Sequence, residues 1–127
     1  MKRPNVEFMI GWLDALRRDD LDSVRAALDR DIVWQGLRDD LVCHGPDQVV
    51  EAFATQRNAN QEVHALELIG GERHAILHAR VDLRELEGIP LHDGIYNVFS
   101  IESGKVSRID DFATRDEALA AAELDGA

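Results

Sequence analysis

The sequence holds one cysteine, three prolines, one tyrosine and few cations. Its single thiol, Cys43, excludes an internal disulfide and fits a reducing compartment. A lone cysteine in an apolar stretch reads first as a small core residue. No apolar run approaches the ~20 residues that cross a bilayer, so no transmembrane helix is expected. The start, Met1-Lys2-Arg3-Pro4-Asn5, runs into an amphipathic pattern without a small-residue cleavage site. No signal peptide is expected there, and a cytoplasmic location follows. Lys and Arg number 14 against 25 Asp and Glu, a formal charge of −11. That balance excludes nucleic acid and anionic membrane as expected partners, since both need basic surface. Gly-x-Ser-x-Gly and the glycine-rich phosphate loop are both missing, and Gly70-Gly71 reads as a plain turn.

What is present is an ordinary folded composition, 45% apolar and 31% charged over 127 residues. The length suits one domain spanning 1–127 with a core of its own. Val6, Met9, Ile10, Leu13 and Leu16 recur at helical spacing. Asp19-Asp20 offers an N-cap for a second helix, whose buried side is Leu21, Val24 and Leu28. Asp31 to Gln35 reads as a strand. Gly45-Pro46-Asp47 opens a third helix with Val49, Val50 and Phe53 on its apolar face. Arg57 to Gln61 reads as a loop. Strands are expected near 62–70, 73–84, 91–101 and 105–113, separated by Gly70-Gly71, Glu87-Gly88 and Ser103-Gly104. A final helix is expected from Thr114 to about Glu123. Helices followed by strands imply an α+β fold, with helices packed on a curved, mainly antiparallel sheet.

Two strands carry candidate chemistry. From Ala75 to Arg84 the residues alternate. Ala75, Leu77, Ala79, Val81 and Leu83 take one face, and Ile76, His78, Arg80, Asp82 and Arg84 the other. The polar set is either a solvent face or a pocket lining with the apolar set packed elsewhere. In the last strand Ser107, Ile109, Asp111 and Ala113 share one side, and Val106, Arg108, Asp110 and Phe112 the other. At most one of Asp110 and Asp111 therefore enters a given pocket. No cofactor or metal is expected. His44, His64, His74, His78 and His92 do not gather at ligand spacing, and His74 and His78 on one strand stand ~13 Å apart. His78, two residues before Arg80, is the histidine best placed to reach a pocket. Trp12 and Trp34 read as core or pocket wall.

This order of elements resembles the SnoaL-like (nuclear transport factor 2-like) superfamily over nearly the whole chain. Phe8 to Leu28 is similar to its paired helices, Ile32-Val33-Trp34 to its first strand, and His44-Gly45-Pro46-Asp47 to the start of its third helix. The run from Tyr96 to Ile109, with Gly104-Lys105 at its turn, is similar to its closing hairpin. The resemblance implies a cone enclosing a pocket for a small apolar molecule with an oxygen function, and a homodimer formed on the outer face of the sheet. Locally, Arg80-Val81-Asp82 and Asp111 resemble the Asp-Arg-Asp trio of limonene-epoxide hydrolase. That resemblance implies Arg80, Asp82 and Asp111 as catalytic residues, with Asp111 as base and Asp82 as acid. Leu13, Leu16, Trp34, Phe53, His78, Ile95, Asn97 and Phe99 are the implied pocket wall.

The resemblance departs on the first strand, where a water-holding tyrosine and asparagine correspond to Trp34 and Gly36. Asn97, inward with Ile95 and Phe99, is an available substitute. Epoxide hydrolysis, isomerisation and aldol-type cyclisation share this acid–base demand. A non-catalytic ligand-binding or dimerisation module is the alternative, and a transport adaptor rests on fold alone.

Overall fold

The computed structural model describes residues 5–37, 39–58, 63–81, 85–86, 89–90 and 95–122; at 55–58, 63–66, 79–81, 85–86 and 89–90 it describes the backbone alone. The elements run α1 (Val6–Arg17), α2 (Leu21–Ala26), β1 (Leu28–Gln35), β2 (Val42–His44) and α3 (Gly45–Asn58). They continue with β3 (Val63–Gly70), β4 (His74–Val81), β5 (Glu85–Leu86), β6 (Ile89–Pro90), β7 (Ile95–Glu102), β8 (Lys105–Phe112) and α4 (Arg115–Ala121). Six strands form one sheet in the order β2-β1-β8-β7-β4-β3, and β5 pairs with β6. Neighbours are antiparallel except β1 and β8, which run parallel.

One face of the sheet carries α1, α2 and α3. Met9, Trp12 and Ala15 of α1, Val24 of α2 and Val49, Val50 and Phe53 of α3 bury against Ile32, Trp34, Ala75, Leu77, Phe99 and Ile109. The α1 stripe is rotated from the one expected. Ile10 is 54% exposed, and Trp12 takes the inward position, its Nε1 donating to the Val24 carbonyl at 3.1 Å. That bond ties α1 to α2 and satisfies a buried donor. Asp20 caps α2 through Ser23 N, and Thr114 caps α4 through Glu117 N. Leu28, expected on α2, begins β1.

The opposite face is covered by α4, with Ala118, Leu119 and Ala122 packed on Ile76, Tyr96 and Val98. The β7–β8 hairpin turns on Ser103 (φ 51°) and Gly104 (φ 77°), two left-handed residues that match the twist of the flanking strands. The pairing shifts by one residue between Ser100 and Ile101, so Ser107 is the extra residue on β8. This bulge corrects the expected alternation: Val106 joins Ile109 in the helix-side core instead of sharing a face with Arg108. After the bulge Ile109 and Asp111 lie on one face, Asp110 and Phe112 on the other.

Gly36, at the end of β1, is held by close packing. Its N donates to the Leu41 carbonyl at 2.6 Å, and an added Cβ would meet Leu41 Cβ at 2.8 Å and that oxygen at 3.0 Å. Gly36→Ala must displace Leu41 or Gly36 itself. It is expected to cost about 1–3 kcal/mol in urea unfolding, and a loss near zero would show that the turn yields freely.

Candidate functional site

Asp111 of β8 lies on the sheet face covered by α1–α3, the face of Ile109. Three adjacent strands converge on it. In the β7–β8 register Asn97 stands directly opposite Asp111, and in the β1–β8 register Trp34 stands opposite Ile109. The Trp34 indole Nε1 donates to Asp111 Oδ1 at 2.8 Å, and Asn97 Nδ2 donates to the same oxygen at 2.5 Å. Trp34 in turn stacks on Phe53 of α3, ring centroids 4.4 Å apart and planes at 15°. Phe53 and Phe99 lie 6.3 Å apart, and Trp12 meets both edge-on at 5.1 and 5.4 Å. The carboxyl group thus borders an aromatic cluster drawn from α1, α3, β1 and β7.

That setting governs its acidity. Burial pushes the Asp111 pKa up to about 6, against the opposing pull of the Trp34 and Asn97 hydrogen bonds; the Asp110 charge adds a smaller rise. A carboxyl group of this pKa exists in both forms near neutrality, which suits proton transfer in either direction. Cys43 is the cross-strand partner of Trp34, and burial followed by the Asp111 charge pushes its thiol up. Cys43 is therefore held as a neutral thiol, the weakly nucleophilic form.

Of the residues expected at the site, the structure brings Trp34, Asn97 and Asp111 into direct contact. Phe53, Phe99 and Leu16 are buried in the surrounding cluster, Leu13 packs against it, and Ile95 is half-buried in β7. Asp110 faces away and pairs with Arg108, whose Nε lies 2.9–3.0 Å from both carboxylate oxygens. Of the two aspartates, Asp111 is therefore the one on the α1–α3 side of the sheet.

His78 does not join the group. It lies on the α4 side of β4, buried, stacked on Tyr96 at 4.0 Å, with Nδ1 3.5 Å from Glu67 Oε1. Glu67 also accepts from Arg115 at the start of α4 at 2.7 Å, which holds its carboxyl below the usual range. The physical reason is the cover: Ala75 and Leu77 are turned to α1–α3, so Ile76 and His78 lie on the α4 side. Arg80 stands opposite Ala65 in the β3–β4 register with its backbone alone described, and Asp82 lies outside the described residues. Asp111 is thus the member of the expected trio whose surroundings are described.

The Trp34 hydrogen bond is the feature that residue types alone missed. Trp34 was expected as wall and acts as a donor to the carboxylate. Its signal was available in one respect: an indole has a single N–H that must find an acceptor when buried. Among the described residues no three His, Cys, Asp or Glu side chains gather closely enough to hold a metal ion. No helix among them is long and apolar enough to cross a membrane.

The family model for the SnoaL-like domain matches residues 10–109. No curated protein shows a significant match to the chain. Among solved structures, an NTF2-like protein of unknown function from Cytophaga hutchinsonii superposes with a TM-score of 0.63 at 9% identity, over 92% of this chain and 96% of that one. A "putative ketosteroid isomerase" from Kribbella flavida superposes at 0.63 with 16% identity, over 86% and 76%. A "putative polyketide cyclase" from Sinorhizobium meliloti superposes at 0.56 with 18% identity, over 84% and 94%. These likenesses show a shared fold. With a family model matched over most of its length, the chain belongs to the SnoaL-like domain family, on the NTF2-like fold.

Proposed function

We propose that the protein is a cofactor-independent acid–base enzyme that moves a proton on a small, largely apolar molecule bearing a carbonyl or hydroxyl oxygen, with Asp111 as the proton-transferring group. One observation carries this reading: a carboxyl group raised to about 6 by burial, bordered by Trp34, Phe53 and Phe99. Ionised Asp111 takes a proton from carbon beside the carbonyl, and the resulting acid returns it to another position or to oxygen. One shuttling carboxyl group suffices for isomerisation or an aldol-type cyclisation. The names printed for two fold neighbours, "putative ketosteroid isomerase" and "putative polyketide cyclase", belong to this class of enolisation chemistry. Epoxide opening by an acid and a separate base would also need Arg80 and Asp82 at the same place.

The test is exchange of solvent deuterium into a panel of enolisable ketones, followed by proton NMR. The native chain is expected to catalyse exchange in at least one of them, and Asp111→Asn to lower that rate by about 10²-fold or more. Saturable binding of the panel without exchange would instead identify a ligand-binding module. Exchange that survives Asp111→Asn would remove Asp111 from the reaction.

A further inference from the structure

We propose that Trp34 and Asn97 form a positioning pair that reserves Asp111 Oδ1 for the protein and leaves Oδ2 as the oxygen that carries and transfers the proton. The inference rests on the acid–base reading of Asp111 and deepens it. Its ground is that both donors reach the same oxygen, at 2.8 and 2.5 Å, from the two strands that flank β8. Two donors on opposite sides hold the carboxyl plane against the rotation that would exchange its oxygens. Trp34 offers an N–H and no acceptor, and the Asn97 amide presents its NH₂. A proton on Oδ1 would therefore confront two donor hydrogens, so the neutral acid must carry its proton on Oδ2.

Among the described residues Oδ2 receives no hydrogen bond, while no fully buried side-chain oxygen or nitrogen lacks a partner. Asp111 is half-buried, which leaves Oδ2 as the oxygen available to a bound molecule. Trp34 is itself held by its stack on Phe53 and its buried position in β1. The pair acts through Asp111 and touches no reacting atom, so its role is orientation and the setting of acidity.

The carboxyl carbon of Asp111 reports both, and reading it requires no substrate. In ¹³C-labelled full-length protein, with Asp111→Asn used to assign the resonance, its midpoint is followed against pH. Removal of one donor in Trp34→Phe or Asn97→Ala is expected to raise the midpoint by about one pH unit, and the double variant further. Trp34→Phe keeps a ring for the Phe53 stack. Asn97→Ala alters a half-buried strand position and carries the test if the first variant does not fold. The base limb of the exchange-rate profile should move by the same amount in each variant.

A midpoint unmoved in both single variants overturns the pair, whatever their stability. That outcome is separable from failure of the acid–base reading, which would show as exchange persisting in Asp111→Asn while the midpoints still shift in the donor variants.

Discussion

Asp111→Asn is expected to make the protein more stable than the native chain at pH 8 by about 3 kcal/mol, and by only about 0.5 kcal/mol at pH 4. The size follows from the rise in pKa from 3.8 to about 6, at about 1.4 kcal/mol per pH unit. The sign follows from which form folding prefers. Because the folded pKa is the higher one, the native state binds more protons between the two values. The stability contributed by neutral Asp111 is fully present below pH 3.8 and is lost as pH rises through about 6. Above that range the buried charge is a standing cost. Asparagine is isosteric, carries no charge and keeps an acceptor oxygen for Trp34 and Asn97, so it removes the cost without opening a cavity.

Urea unfolding of both proteins at pH 4 and pH 8 isolates the effect. Asp14, Asp20 and Glu67, whose pKa values are lowered by Arg17, Ser23 and Arg115 in turn, titrate alike in both. A difference in stability that does not grow between the two pH values would show that Asp111 is well solvated, and would remove the basis for its altered acidity. A variant that is more stable and inactive is the expected signature of a group retained for chemistry at the expense of the fold.

Much of this arrangement was legible along the chain, and the rest depended on contacts that no local pattern encodes. Turn chemistry at Ser103-Gly104 and the alternation of Tyr96 against Asn97 placed the closing hairpin and the inward side of β7, because a two-residue left-handed turn and a period of two are local properties. Alternation in β4 separated two faces but held no information on which one meets α1–α3. That depends on α4, which covers Ile76 and Tyr96 and makes a buried, stacked site for His78. The Ser107 bulge was invisible because one extra residue changes facing without changing composition. Ile10 fits the helical stripe of α1 yet is exposed, because the packing of Phe53 and Phe99 turns Trp12, read as core or pocket wall, to the inward side. The Trp34–Asp111 hydrogen bond spans 77 residues and exists only because β1 runs parallel beside β8.

Phe99→Ala is expected to cost about 3–5 kcal/mol, a large share of the ~5–15 kcal/mol by which domains of this size are stable. Phe99 is 0% exposed and lies against Phe53 and Trp12 in the middle of the aromatic cluster. Truncation removes its buried area and both ring contacts, and leaves a void between α1, α3 and β7. The consequence reaches the site by a short chain of contacts. Phe53 rests on Phe99, Trp34 stacks on Phe53, and Trp34 donates to Asp111 Oδ1. If water fills the void, the desolvation that raises Asp111 weakens and its pKa falls from about 6 toward 3.8. Phe99→Leu retains most of the apolar volume and should lose less stability while leaving Asp111 nearly unchanged. Chemical unfolding gives the first quantity and the Asp111 carboxyl titration the second. A loss below about 1 kcal/mol in Phe99→Ala would mean that the cluster collapses onto the gap, and that the rings do not hold the acid in place.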